Sequence, residues 1–210
     1  MTYLCHRGFW TGIEEQNSLA AFERAFASGY GIETDIRDSI GELVISHDCP
    51  QGGEPRLTDV LELYSRYPQA QTLALNVKSD GLQSKLKEAL DQFPGTDAFV
   101  FDMSVPDMRG YLAASMPAFT RQSEYEPEPA FYDESEGVWL DCFVQEGYID
   151  PGNVEKHLEA GKRVAIVSPE LHKREADAYW QLLAGLPCLS RPDVMLCTDY
   201  PDRAAERLGR

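Results

Sequence analysis

Short apolar runs alternate with amphipathic stretches along the whole of this 210-residue chain, and that alternation most constrains its fold. Runs fit for strands fall at Tyr3–Cys5, Gly31–Ile36, Thr72–Val77, Ala98–Met103, Ala118–Arg121, Val138–Phe143, Arg163–Val167 and Val194–Thr198. Helical periodicity follows most of them, at Asn17–Ala27, Leu57–Tyr67, Leu82–Phe93, Val105–Met116, Asn153–Ala160, Glu175–Leu183 and Asp202–Leu208. Their ends carry punctuation. Asn17 reads as a cap and Gly29 as a stop, Pro68 and Pro94-Gly95 close the next two helices, and Pro106 sits in a first turn.

Strand–helix alternation predicts a parallel sheet with helical crossovers, and eight units predict a closed (β/α)8 TIM barrel. The chain is short for that fold, which runs to about 250 residues. Two segments account for the economy: a hairpin-like extension at Gly41–Ile45, and an acidic, proline-rich link at Pro127–Gly137 with no helical pattern. The alternative is an open doubly wound sheet. Against it, no glycine-rich loop follows the first strand, as a dinucleotide site would require. A single compact domain over residues 1–210 is expected.

The formal net charge of -16 is spread along the sequence. It argues against nucleic acid or an anionic membrane as a main partner, since both need a basic surface. A small phosphorylated ligand needs only a few local cations. The five cysteines (Cys5, Cys49, Cys142, Cys188, Cys197) are odd in number and form no CxxC pair, which reads as reduced thiols. No basic-then-apolar leader and no stretch of spanning length occur, so a cytoplasmic protein without integral membrane association is expected. Oligomeric state is not legible.

In a barrel of this kind the site lies at the C-terminal strand ends, where the polar residues of this chain fall. They are His6 and Arg7, then Glu33 and Asp35, with His47 just beyond, then Asn76 and Lys78. Further round come Asp102, Arg121 with Glu124, Asp141, Glu170 with His172, and Asp199. Such a ring is costly beside a core unless its members are paired, metal-bound or used. Glu33 and Asp35 stand two apart, on one face of a strand, and so are able to share one ion. Two histidines, an arginine and two acids are the inventory for cutting a phosphate ester: an acid/base pair, a cation for the phosphate, and carboxylates for a divalent metal.

At these residues the chain resembles the glycerophosphodiester phosphodiesterase family, itself related in architecture to phosphatidylinositol-specific phospholipase C. His6-Arg7-Gly8, Asn17 through Phe22, Glu33-Thr34-Asp35 and Gly41 through Asp48 match the family's motifs in order and spacing, and Thr198-Asp199-Tyr200-Pro201 resembles its closing Thr-Asp-x-Pro. The resemblance implies a (β/α)8 barrel that hydrolyses a small phosphodiester. His6 and His47 would be the general acid/base pair, and Glu33 and Asp35 the ligands of Mg²⁺ or Ca²⁺. Arg7 would hold the phosphate, with Lys78 and Arg121 as further substrate contacts.

Three departures bear on this expectation. The family's third-strand Glu-x-Lys reads Asn76-Val77-Lys78, so Asn76 would be a third metal ligand with an oxygen but no charge, unless Asp102 or Glu124 compensates. Only Cys49–Arg56 fills the place of a family insertion that helps define a glycerol pocket. The helix start reads Gln16-Asn17-Ser18 in place of Glu-Asn-Thr. A sugar or polyol phosphodiester therefore stands beside a glycerophosphodiester as substrate. The alternatives are a catalytically degenerate barrel that binds a phosphorylated ligand, and a lyase that stops at a cyclic phosphate. Away from the site, His157 is expected on a solvated helix surface and Trp180 in the core, with Phe9 and Trp10 as an apolar wall for the substrate.

Overall fold

A computed structural model describes residues 1–144 and 150–209. Among these residues there are nine strands: β1 (Thr2–His6), β2 (Gly31–Ser39), β3 (Glu42–Ile45), β4 (Leu73–Val77), β5 (Ala98–Phe101), β6 (Phe119–Gln122), β7 (Gly137–Leu140), β8 (Arg163–Val167) and β9 (Val194–Thr198). Eight of them pair in parallel in the order β5-β4-β2-β1-β9-β8-β7-β6. A parallel bridge from Val100 to Ala118 joins β5 to β6 and closes the ring into the expected (β/α)8 barrel. The ninth, β3, is the expected hairpin, folded antiparallel onto the end of β2.

Seven α-helices among the described residues wrap the outside: α1 (Leu19–Ala27), α2 (Leu57–Tyr64), α3 (Gln83–Asp91), α4 (Val105–Ala113), α5 (Pro151–Glu159), α6 (Asp177–Ala184) and α7 (Pro201–Leu208). As expected, no helix fills the link between β6 and β7. Among the described residues no helix is long and apolar enough to cross a membrane.

The strand period divides the core in two. Outward positions such as Tyr3, Cys5, Ile32 and Leu75 pack under the helices, where Trp180 is fully buried as expected. Inward positions (Leu4, Ala74, Phe99, Phe101, Phe119, Trp139, Ala165, Met195) fill the barrel. Phe99 stacks on Phe119 with ring centroids 3.7 Å apart, and Phe101 on Trp139 at 3.9 Å. Gly137 makes room for this, because a Cβ there would lie 2.4 Å from the Phe119 ring. The barrel is therefore plugged from below, and the next inward residue on each strand rises above the plug.

Two expectations change. Asn17 does not cap α1; Ser18 does, its hydroxyl accepting from the Ala21 amide 3.2 Å away. Asn17 takes a left-handed backbone (φ 58°) and turns its side chain inward. His157 is not on the surface but 1 % exposed, beside Val154 and Leu158 on the inner face of α5. Its Nε2 lies 2.8 Å from the Gln122 side-chain oxygen and its Nδ1 2.9 Å from the Tyr132 hydroxyl. Since Gln122 also gives its own NH2 to the Pro127 carbonyl, its oxygen is the acceptor and His157 is held as the neutral Nε2–H form. Burial, with help from Lys156, lowers its pKa to about 4.

That burial makes stability pH-dependent. The unfolded imidazole takes a proton as pH falls below about 6.5, whereas the folded one resists until about 4. The His157 contribution to stability is thus expected to fall by up to ~3 kcal/mol between those limits. Urea unfolding of wild type and His157→Gln at pH 7 and pH 4.5 isolates it: on going to pH 4.5 the variant should gain stability relative to wild type. A difference between the two proteins that is the same at both pH values would refute the assignment.

Candidate active site

Above the plug, strands on one side of the mouth present His6, Glu33, Asp35, Asn76 and Asp199. Register sets this grouping: His6 is level with Glu33, and Asp35 with Asn76. The chain then turns sharply after β1. Arg7 and Gly8 both have positive φ, 57° and 91°, and a Cβ on Gly8 would lie 2.9 Å from Ala21 and Phe22. Only glycine lets α1 approach this closely. The turn is locked by the Arg7 amide on the Glu33 carbonyl and the Asn17 amide on the Arg7 carbonyl, each at 2.9 Å.

His6 Nδ1 lies 2.8 Å from Asp199 Oδ1 and Nε2 3.9 Å from Glu33 Oε2. The carboxylate fixes the ring so that Nε2 is the atom left to exchange a proton. Burial alone would pull the His6 pKa down. The Asp199 hydrogen bond and the charges of Glu33 and Asp199 outweigh it, despite Arg7, and the pKa rises. Trp10, expected as a wall, donates its indole N–H to the His6 carbonyl at 3.0 Å.

Asp35 is 1 % exposed and surrounded by donors. Arg7 Nε is 3.3 Å from its Oδ2, Asn17 Nδ2 is 2.9 Å from the same oxygen, and Lys78 Nζ is 3.5 Å from Oδ1. Glu33, 2 % exposed, accepts from Asn76 Nδ2 at 3.2 Å. Desolvation, reinforced by Asp35 and only partly offset by His6, Lys78 and Asn76, raises its pKa to about 7.

Three oxygens in this group, Glu33 Oε2, Asp35 Oδ1 and Asn76 Oδ1, are buried and accept no hydrogen bond. Buried acceptors left unmade are costly. Two carboxylates and an amide carbonyl on two adjacent strands are hard donors of the kind Mg²⁺ and Ca²⁺ take, so the residues fit such an ion. Among the described residues no cluster of three or more His, Cys, Asp or Glu side chains is set to hold a metal, and the third oxygen here belongs to an amide. Both suggested substitutes have partners of their own. Asp102 is engaged by Arg121 Nη1 at 2.6 Å and Lys78 Nζ at 3.6 Å, and Glu124 accepts the Phe143 and Val144 amides.

The remaining candidates divide. His47 stands on the loop after β3, half-exposed, with Nδ1 3.0 Å from Asp48 Oδ1. The neighbouring Ser46 amide bonds the Asp35 carbonyl at 3.0 Å, which seats that loop against the end of β2. Glu170 serves the scaffold by accepting from Ser168, Thr198 and the Asp199 amide. Arg121, Asp141 and His172 occupy the other side of the mouth. The role of Asp199 on His6 and of Asn17 on Asp35 escaped the sequence reading. The only signal for the former was the Thr-Asp at the end of the last strand.

No family model matches the chain, and no curated protein matches its sequence. Solved structures do. A glycerophosphodiester phosphodiesterase from Agrobacterium tumefaciens str. C58 superimposes with a TM-score of 0.71 at 19% identity, over 98% of this chain and 100% of that one. A glycerophosphoryl diester phosphodiesterase from Parabacteroides distasonis gives 0.70 at 13% identity, over 99% and 85%. A Ca²⁺-dependent phosphatidylinositol-specific phospholipase C from Streptomyces antibioticus gives 0.62 at 11% identity, over 99% and 95%. The chain shares the (β/α)8 barrel of these proteins along nearly its whole length.

Proposed function

We propose that this protein hydrolyses a small phosphodiester, glycerophosphodiester-like or a sugar or polyol diester, with the help of a divalent cation. The observation that carries the reading is the carboxylate-held His6 beside three buried oxygens without hydrogen-bond partners. Fold likeness to phosphodiesterases and a phospholipase C supports it. Glu33, Asp35 and Asn76 would hold Mg²⁺ or Ca²⁺, which when bound polarises a phosphoryl oxygen. His6 Nε2 takes the proton of the attacking hydroxyl, and His47 returns one to the leaving alkoxide. Arg7 and Lys78 set positive charge against the phosphate, with Arg121 farther round the mouth. Where the substrate carries a neighbouring hydroxyl, that group attacks first and a cyclic phosphate forms, which is the lyase outcome.

The test is turnover of bis(p-nitrophenyl) phosphate and a panel of glycerol, sugar and polyol phosphodiesters, with EDTA, Mg²⁺ or Ca²⁺. Metal-dependent release is expected. Ligand binding without turnover under every condition would replace this reading with that of a binding barrel.

Charge count at the cation site gives a further prediction. Asn76→Glu supplies a third carboxylate and should tighten divalent-cation binding about tenfold or more, read by calorimetry. Three acids without an ion repel one another, so the metal-free variant should also melt lower than wild type and recover when the ion is added. Unchanged affinity would remove Asn76 from the ligand set.

A further inference from the structure

The mouth has a second half that the proton transfer and the cation leave unused. Arg121 is the inward residue next above Phe119 on β6, and Asp141 follows the end of β7, two residues beyond inward Trp139. His172 ends the 3-10 turn after β8, and its Nε2 lies 2.7 Å from Asp141 Oδ1. That turn is tied to the first half: Glu170, two residues before His172, accepts the amide of Asp199, which holds His6. Asp141 is nearly buried and the His172 ring is 22% exposed, with no hydrogen-bond partner for Nδ1 among the described residues. Phe143 packs its ring 4.9 Å from the His172 ring and 5.8 Å from both the Arg121 guanidinium carbon and the exposed ring of Tyr125.

An aromatic face rimmed by a guanidinium, a carboxylate and an imidazole discriminates among ligands. A lipid chain would strand three polar groups against hydrocarbon. A quaternary ammonium group favours an aromatic face, but here that face already lies near the Arg121 cation. A sugar ring meets both demands. Its C–H face covers the exposed part of Phe143, while its hydroxyls meet planar groups beside it, with Arg121 giving the Nη2 N–H left after Glu126 takes Nε and Asp102 takes Nη1, and Asp141 accepting O–H. We infer that Arg121, Asp141, Phe143 and His172 form a subsite for a sugar ring carried by one ester arm of the phosphodiester. The inference rests on the phosphodiesterase reading for the placement of the phosphate in the other half of the mouth.

Binding and turnover are measured separately on the full chain, so that the two ideas fail differently. Calorimetry compares glucose, galactose and mannose 6-phosphates with methyl phosphate and glycerol 3-phosphate. At least one hexose phosphate should bind about tenfold or more tighter than both small esters. Phe143→Leu and His172→Gln, each checked for a wild-type circular dichroism spectrum, should bring that ratio toward one. Hexose phosphates that bind no better than methyl phosphate, or a margin that survives both substitutions, would overturn the subsite. A hexose margin in a protein that turns over no diester would uphold the subsite and remove the hydrolase reading. Turnover without a hexose margin would do the reverse.

Discussion

Turnover of the preferred diester is expected to fall by about 10³-fold in His6→Ala while the protein stays folded. The expectation follows from geometry. His6 is the one histidine of the mouth set among the oxygens that accept no hydrogen bond, with Nδ1 committed to Asp199 and Nε2 facing Glu33. Alanine removes the proton acceptor and leaves the backbone turn at Arg7-Gly8 intact, because that turn is held by main-chain bonds. His47→Ala tests the other half of the proton pair. Its loss should weigh more on diesters of ordinary alcohols than on p-nitrophenyl esters, because a good leaving group needs no proton. Steady-state kinetics with both substrate types, beside circular dichroism, makes the measurement. Wild-type rates in either variant would sink that residue's assignment.

Glu33→Gln is expected to do two opposite things: abolish turnover and raise the melting temperature of the metal-free protein at pH 8. The Glu33 carboxyl is buried against Asp35, and its pKa is raised to about 7. A raised carboxyl favours the folded state when protonated. Its ionisation therefore erodes stability as pH climbs from about 4.5, where the unfolded group titrates, to about 7. Above that the cost is complete, at most ~3 kcal/mol. Glutamine keeps an oxygen for the Asn76 side-chain N–H and carries no charge. The gain should reach several degrees at pH 8 and vanish near pH 4. A variant that melts below wild type at pH 8 would show that Asn76, His6 and Lys78 already neutralise the buried charge. A site that costs stability when empty is a familiar cost of function.

The barrel was legible because each strand is a short, mostly branched or aromatic run, and local patterning survives any tertiary arrangement. The polar residues gathered at the mouth were legible as a group because most of them sit in a few short motifs at strand ends. What escaped depends on contacts made across the chain. Asn17 looks like a cap from its neighbours, and only the Arg7 turn, with its left-handed backbone, shows why its amide faces Asp35. Asp199 reaches His6 across 193 positions. His157 lies in a charged stretch, and the sign of its burial was the i, i+3, i+4 relation of Val154, His157 and Leu158 rather than its composition. The partners of Asp102 and Glu124 were hidden for the same reason: Lys78, Arg121 and two main-chain amides reach them from other parts of the chain.

The closure of the barrel is uneven. Seven strand junctions run over three to five register pairs, whereas β5 meets β6 through the single Val100–Ala118 bridge. Ion pairs clasp that seam at both rims. Asp102 meets Arg121 above, while below Arg163 reaches both Asp97 and Glu136 at 3.1 Å. Such a seam is where slow breathing of the wall would begin, since few hydrogen bonds must part. The upper clasp shares Asp102 with Lys78, so a loosened wall also leaves that ammonium to Asp35 alone. Ionic strength would then act on this protein mechanically, by slackening a hoop, as well as by screening its surface charges.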